Sequence, residues 1–172
     1  MKILKTLGTV VSTATMICIA YAAVAQVIDH RDKQIFMGKQ KQIECLATNI
    51  YHEARSESAI GKIAVAWVTV NRVNTKQYPD TICGVVHDAK LDSKGAPKKH
   101  QCQFSWYCDG KSDEIKNKDA WYDSLQIATL VYYSERFDPT DGAIMYHATY
   151  VSPYWKKDYK KTVRIDEHIF YK

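Results

Sequence analysis

One glutamate lies where a helical pattern favours acid–base chemistry. Leu46 and Ile50 share the apolar face of a predicted helix, and Glu53 follows them by seven and three residues. Glu53 is therefore predicted to project from the same apolar side. A carboxyl group buried there has a raised pKa, as a general acid near neutral pH requires. The alternative is a structural salt bridge to Arg55, Arg72 or a lysine, and the pattern alone does not decide between the two.

A second carboxylate follows one helical turn later. Glu57 would suit a glycosidase that uses paired acids, although a local cap or ion pair explains it equally simply. The other acids considered, Asp109, Asp113 and Asp141, are predicted to lie in loops, where nothing distinguishes them.

The histidines do not form a recognisable metal motif. His52 and Glu53 begin like HExxH, but Ser56 occupies the position of the second histidine, so the zincin motif fails. A GxSxG nucleophile elbow is also missing from the sequence. We therefore expect no metal and no cofactor. The remaining alternative in this class is a zinc amidase.

The cysteines point to an oxidising compartment. Cys18 lies in the apolar N-terminal stretch, which leaves four others, Cys45, Cys83, Cys102 and Cys108. An even number in an exported chain suggests two disulfides. Three pairings are possible; closure of the short loop between Cys102 and Cys108 would leave Cys45 with Cys83. A zinc site is the weaker alternative, because the spacing is irregular and there is no CxxC.

The N-terminus has the pattern of an export segment. Two lysines precede an uncharged stretch, and Ala23-Val24-Ala25 has the form of a cleavage site. Residues 1–28 are predicted to be a cleaved signal peptide, a permanent anchor in the inner membrane, or a weak signal-anchor that later leaves it. The polar residues 29–42 are interpreted as a linker, and residues 43–172 as the functional domain.

Charge and composition exclude several classes of protein. The chain has 172 residues with a net charge of +5, and 46% of them are hydrophobic. This composition is ordinary for a globular domain and argues against disorder. The mild positive charge, without a dense basic helix or a nucleic-acid motif, argues against nucleic-acid binding.

The periodicity predicts an α+β domain in which helices dominate. Helices are expected over residues 41–57 and 118–136, and over 61–74, where a buried strand was the alternative. Residues 88–117 are interpreted as a long loop. The strands are expected late in the chain, at 143–150 and 161–171.

Five ordered blocks of the sequence resemble one family. The first runs from Cys45 through the Glu53-Ala54-Arg55 element to Glu57, and resembles the opening helix of the SleB/CwlJ-type cell wall hydrolases, the spore cortex-lytic group. The similarity extends over about residues 43–171. One departure is Ser56, which stands where the family usually has glycine after E-A-R. The other blocks are Gly61–Arg72, Tyr78–Val86, Cys102–Trp106, and a closing set that comprises Tyr146-His147-Ala148, Val151–Trp155 and His168–Tyr171.

The resemblance implies a fold, a reaction and a site. It implies a single lysozyme-like or lytic-transglycosylase-like domain with a small β element near the C-terminus. It also implies cleavage of the β-1,4 bond between N-acetylmuramic acid and N-acetylglucosamine, with Glu53 as the catalytic acid. A lytic transglycosylase that forms 1,6-anhydro ends is the preferred mechanism. The alternatives are a hydrolase with Glu57 or a loop aspartate as second carboxylate, and a non-catalytic peptidoglycan-binding module.

The expected partner is the glycan strand of peptidoglycan, met outside the cytoplasm in the periplasm or cell envelope. We expect a monomer, and the sequence leaves open whether it remodels the wall or lyses the cell as an endolysin. Residues proposed to bind substrate are Asn71, Arg72, Phe104, Trp106, Tyr146, His147, Tyr154 and Trp155.

Overall fold

The computed structural model describes residues 2–134 and 137–172, and it divides the chain into two units, Met1–Gln40 and Lys41–Lys172. Helix α1 is assigned from Lys2 to Ala54. In the first unit the described side chains, Phe36 and Met37 among them, are exposed, except that of Gln40, which is half-buried. Residues 29–42, interpreted from their polarity as a linker, are helical throughout. Over the part of the chain that is described, no helix is both long enough and apolar enough to cross a bilayer.

The helices of the second unit begin at polar caps. Helix α2, Ala59–Val73, begins after Ser58, whose hydroxyl accepts a hydrogen bond from Gly61 N. Helix α3, Ile82–Val86, is capped in the same way by Thr81, and helix α4, Lys118–Tyr133, by Asn117. The prediction of a helix over 61–74, rather than a strand, is therefore confirmed.

Two helix ends differ from the sequence prediction. Helix α1 ends at Ala54, three residues earlier than predicted, because Ser58 already caps the next helix. Helix α4 ends at Tyr133, and the last two residues of its predicted range, Glu135 and Arg136, lie outside the described residues.

In the part of the chain that the structure describes, five strands form two small antiparallel sheets. Strands β1, Ala89–Leu91, and β2, Pro97–Cys102, pair as a ribbon, and β3, Met145–Ala148, pairs with β5, His168–Tyr171. Strand β4, Lys161–Ile165, pairs with the other edge of β5, so the order is β3-β5-β4. The late strands were predicted. The ribbon was not, because its lysine-rich strands lack the alternation of apolar and polar residues that identifies a half-buried strand.

The core has two clusters that meet at helix α2. The larger packs α1, α2, α3 and α4 around Leu46, Ile50 and Val85, all fully buried. The smaller packs Ala54 and α2 against Phe170 of β5. Because α1 contributes to both clusters, its last turn is held between the helices and the sheet. The fold agrees with the predicted helix-dominated α+β domain.

Two disulfides join the four cysteines of the second unit. Cys45 is bonded to Cys83 and Cys102 to Cys108, the pairing that the short loop favoured. The first ties α1 to α3. The second ties the end of β2 to the 3-10 helix Ser105–Cys108, which helps to line the cavity described next.

Candidate active site

A cavity of about 660 Å³ opens beside the last turn of helix α1. Helices α1 and α2, the segment 103–113, strand β3 and the C-terminal region all contribute to its wall. Its lining residues are His52, Glu53, Arg55, Arg72, Gln103, Phe104, Ser105, Trp106, Asp109, Lys111, Ser112, Asp113, Met145, Tyr146, His147, Ala148, Tyr150, Trp155 and His168.

Glu53 lies in this wall and is enclosed largely by protein. Its Oε2 accepts a hydrogen bond of 2.9 Å from the hydroxyl of Tyr146. Burial raises the pKa of Glu53 above its ordinary value, while the Tyr146 hydrogen bond and the positive charge of Arg72 oppose the rise. A carboxyl group in this state can carry a proton nearer to neutral pH than an exposed glutamate can, so it is suited to donate one.

Tyr146 reaches Glu53 because strand β3 is held by β5. It pairs with Phe170 in the sheet, and its ring packs against those of Phe170 and His168, with centroids 5.7 and 5.2 Å away. Burial, and then the adjacent charge of Glu53, raise the pKa of Tyr146 well above its ordinary value. Tyr146 therefore stays a neutral hydrogen-bond donor to the carboxyl group.

Arg72 places a buried positive charge near the carboxyl group. Its Nε donates to Ile144 O at 2.8 Å, and its guanidinium carbon lies 4.9 Å from the Phe104 ring centroid and 5.4 Å from that of Tyr78. Only 4% of the residue is exposed, and among the described residues Nη1 has no hydrogen-bond partner. The guanidinium is thus fixed by the backbone and by two aromatic faces, and does not form a salt bridge with Glu53 in the described structure.

An aromatic stack forms another part of the wall. The rings of His52 and Trp106 are 4.5 Å apart and nearly parallel, and Trp106 Nε1 donates to Asn49 Oδ1 at 3.0 Å. Burial lowers the pKa of His52, whereas the charge of Asp113 opposes this change. His52 is therefore favoured in its neutral form beside Glu53.

His147 and Trp155 line the cavity with their orientation fixed by neighbours. His147 Nδ1 lies 2.8 Å from Ala148 O and must donate to it, so in the neutral ring Nε2 accepts from the Tyr171 hydroxyl at 2.9 Å. The Trp155 ring packs edge-on against both His147 and Tyr171. These contacts build a rigid aromatic wall that offers ring faces and edges to a ligand.

Three residues proposed from the sequence lie outside this cavity. The Asn71 amide donates to Asp138 Oδ2 at 2.9 Å and to Ala143 O at 3.0 Å, so it secures a loop and is not placed to bind substrate here. Tyr154 is 84% exposed and is not part of the lining. Glu57 accepts from Glu167 N at 3.3 Å and faces the C-terminal hairpin, again outside the lining.

Other lining residues were not proposed from the sequence, and His168 is the most informative. It is 8% exposed, its Nδ1 lies 3.9 Å from Glu57 Oε1, and burial lowers its pKa while Glu57 opposes that shift. Its place in the closing H-I-F-Y block was the only signal in the sequence. Asp109 and Asp113 became distinctive only through the folded loop that carries them. Among the described residues, no group of three or more His, Cys, Asp or Glu side chains is arranged to hold a metal ion.

Curated relatives of the chain are spore cortex-lytic enzymes. The enzyme of Bacillus cereus (strain ATCC 14579) is 27% identical over 134 residues, which are 77% of this chain and 45% of that protein. The enzyme of Bacillus subtilis (strain 168) is 29% identical over 131 residues, 74% of this chain and 36% of that protein. The chain thus spans less than half the length of these curated relatives.

Two solved structures share the fold. The catalytic domain of the Bacillus cereus SleB protein matches with a TM-score of 0.54 and 27% identity, over 77% of this chain and 91% of that domain. The catalytic domain of the germination-specific lytic transglycosylase SleB from Bacillus anthracis matches with a TM-score of 0.55 and 26% identity, over 76% and 93%.

The Cell Wall Hydrolase family model matches residues 56–171, which is more than half of the chain and begins three residues after Glu53. Together with the curated relatives and the shared fold of the SleB catalytic domain, this match shows that the chain belongs to the cell wall hydrolase family.

Proposed function

We propose that this protein cleaves peptidoglycan glycan strands at the β-1,4 bond between N-acetylmuramic acid and N-acetylglucosamine, as a lytic transglycosylase with Glu53 as its catalytic acid. The observation that carries the proposal is the Glu53 carboxyl group. It lines a 660 Å³ cavity, its pKa is raised by burial, and it accepts a hydrogen bond from Tyr146. The relationship to a SleB structure described as a lytic transglycosylase supports this reaction.

The first step is proton donation. Glu53 Oε2 accepts a hydrogen bond from the Tyr146 hydroxyl, so the acidic proton of Glu53 is carried on Oε1. This proton passes to the glycosidic oxygen as the bond between that oxygen and C1 breaks. The sugar ring then has oxocarbenium-like character. The Tyr146 hydrogen bond and the charge of Arg72, which oppose the rise in the Glu53 pKa, favour the carboxylate that this step leaves behind.

The second step returns the proton to Glu53. The carboxylate accepts the proton of the muramic 6-hydroxyl, whose oxygen attacks C1 and closes a 1,6-anhydro ring. The glycosidic oxygen leaves as the hydroxyl of the departing sugar. One carboxyl group thus serves first as the acid and then as the base. The reaction consumes no water and requires no second carboxylate.

The alternative reaction is hydrolysis, in which a second carboxylate activates water. Glu57 lies outside the cavity lining, whereas Asp109 and Asp113 belong to it and are the better candidates for that role. Hydrolysis would leave a reducing muramic acid end in place of an anhydro ring.

Mass spectrometry of digested peptidoglycan distinguishes the two reactions. Purified sacculi are incubated with the wild type and with Glu53→Gln, and the soluble fragments are analysed without reduction and after borohydride reduction. We expect anhydro-muropeptides, which resist reduction, from the wild type and none from the variant. Reducible muramic acid ends would contradict transglycosylation, and equal digestion by both proteins would remove Glu53 from catalysis.

We also propose that residues 1–28 direct export and that cleavage follows Ala25. The positively charged start and the Ala23-Val24-Ala25 sequence support this interpretation. N-terminal sequencing of the protein recovered from the cell envelope tests it: a chain that begins at Gln26 is the expected result, and an intact N-terminus would contradict cleavage.

A further inference from the structure

The ribbon of β1 and β2 buries little of its own surface. Residues 90–96 and 98–101 are all exposed, so both faces of the ribbon are open to solvent over most of its length. A two-stranded ribbon of this kind is marginal unless something holds its base. Here Gln103 N donates to Asp88 O at 2.9 Å, and the Cys102–Cys108 disulfide fixes the end of β2. The ribbon is therefore an anchored arm, and it adds almost nothing to the core.

The arm carries positive charge that the described part of the chain does not neutralise. It contains four exposed lysines, and none of them forms an ion pair among the described residues. Its one acid beyond the base, Asp92, is used in the turn, where Oδ1 accepts from Lys94 N at 2.8 Å and from Ala96 N at 2.9 Å. The lysines are Lys90, Lys94, Lys98 and Lys99.

A second groove adjoins the cavity that contains Glu53. The groove, of about 410 Å³, lies at the base of the arm, and its charged lining residues are Lys90 and Asp88. Gln103 lines both the groove and the 660 Å³ cavity that contains Glu53. The Lys99 side chain lies close to Gly110: its Nζ is 3.6 Å from the point that a Cβ atom would occupy if position 110 carried a side chain. Gly110 stands between Asp109 and Lys111, both in the cavity wall.

We propose that this groove and the lysine arm bind the peptide stem of the substrate through its carboxylates. The proposal rests on the glycan-cleaving function proposed above, since the stem is attached to the lactyl group of the muramic acid that would lie beside Glu53. A stem leaving the cavity at Gln103 enters the groove lined by Lys90 and then meets Lys98 and Lys99. The stem carries several carboxylates, whereas the glycan backbone itself is mostly neutral, so the lysines complement the stem.

The test measures binding of the full chain, in an inactive Glu53→Gln background, to soluble uncross-linked glycan strands with and without stems, by isothermal titration calorimetry. Stems are removed with an N-acetylmuramoyl-alanine amidase, which leaves a free lactyl carboxylate on each muramic acid. The test variant is K90Q/K98Q/K99Q. The matched control, K76Q/K160Q/K161Q, removes three exposed lysines that lie outside both the arm and the two lining sets.

We expect the arm variant to bind stem-bearing strands about fivefold more weakly at low salt, because each exposed ion pair contributes modestly. The control should bind like its parent, and stem-free strands should bind the arm variant and its parent equally. The difference should shrink as salt is raised. An equal loss on both kinds of strand, or an equal loss in the control, would overturn the proposal, as would arm-dependent binding to anionic lipid vesicles with no stem dependence.

A parallel measurement separates this proposal from the proposed reaction. In the active background, the arm variant should raise KM for stem-bearing strands about fivefold and leave kcat, and cleavage of stem-free strands, unchanged. Retained cleavage also shows that the variant is folded. If neither the wild type nor the arm variant cleaves glycan but stem-dependent binding persists, the proposed reaction is wrong and the proposed stem site stands. If both proteins cleave normally and the arm variant keeps the KM of the wild type, the proposed stem site is wrong.

Discussion

Two carboxylates near the end of helix α1, four residues apart, have different surroundings. Glu53 lines the cavity and accepts one hydrogen bond from Tyr146, with its pKa raised by burial. Glu57 accepts from Glu167 N and lies 3.9 Å from His168, outside the lining. Because the helix ends at Ala54, the second carboxylate no longer follows the helical path and turns toward the C-terminal hairpin. Spacing of one helical turn therefore does not bring two carboxylates to one site when the helix stops between them.

The largest expected difference between the two carboxylates is in activity. Glu53→Gln should lower the rate of peptidoglycan solubilisation by about 10³-fold, as expected for loss of a general acid. Glu57→Gln should retain activity within about threefold, because it keeps an acceptor for Glu167 N and because position 57 is not itself part of the cavity lining. Turbidity assays on sacculi measure both. A comparable loss in Glu57→Gln would restore the paired-acid hypothesis.

The next largest effect is expected from loss of the hydrogen bond that the Tyr146 hydroxyl donates to Glu53. Tyr146→Phe should lower kcat by about 10- to 100-fold, since a hydrogen bond to a charged group contributes about 1.5–3 kcal/mol. It should also move the alkaline limb of the rate profile to higher pH, because the Tyr146 hydroxyl lowers the pKa of Glu53 and its loss lets that pKa rise.

Tyr122→Phe serves as the matched control for this variant, since Tyr122 is 60% exposed on helix α4. It should leave the profile unchanged. An alkaline limb in Tyr146→Phe that stays in place, or that moves to lower pH, would contradict the assigned role of the hydroxyl.

The smallest expected effects are on the free energy of unfolding at pH 7. Substitution of Glu53 should raise it, whereas substitution of Glu57 should lower it. Burial raises the folded-state pKa of Glu53, so the folded protein binds more protons than the unfolded chain between the two pKa values. The free energy of unfolding therefore falls as pH rises through that window. Glu53→Gln removes this fall and should be more stable than the wild type at pH 7, with the difference shrinking toward pH 4.

Glu57→Ala should instead lower the free energy of unfolding by about 1 kcal/mol, because it leaves Glu167 N without its acceptor. Urea denaturation at several pH values measures both variants. A Glu53→Gln protein that is less stable than the wild type at pH 7 would show that the carboxyl group stabilises the fold and that its burial is not a strained, functional state.

Much of the fold could be predicted because it follows local patterns. The apolar periodicity around Leu46 and Ile50 predicted the helix that carries Glu53, and the late strands were visible as short β-rich runs. The ribbon of residues 89–102 was missed because exposed strands carry no hydrophobic period, and their pairing depends on a turn at Asp92 and on the disulfide at their base.

The residues that line the cavity were predicted less completely than the fold. Arg72, Phe104, Trp106 and Tyr146 do line the cavity. Asn71 adjoins Arg72 in sequence, yet successive helical residues project about 100° apart, so its amide meets the 138–143 loop while Arg72 reaches the cavity.

Three features of this protein follow from residue types at short or ordered spacing: the helical setting of Glu53, the pairing of the four cysteines in the second unit, and membership of the cell wall hydrolase family. The groups that surround the Glu53 carboxyl group depend instead on how distant segments pack together. The Tyr146 hydroxyl comes from 93 residues away, and it reaches Glu53 because the register of β3 on β5 places it there. Long-range pairing of this kind leaves no periodic trace in the sequence, and for the same reason the separation of Glu53 from Glu57 became visible only in the folded chain.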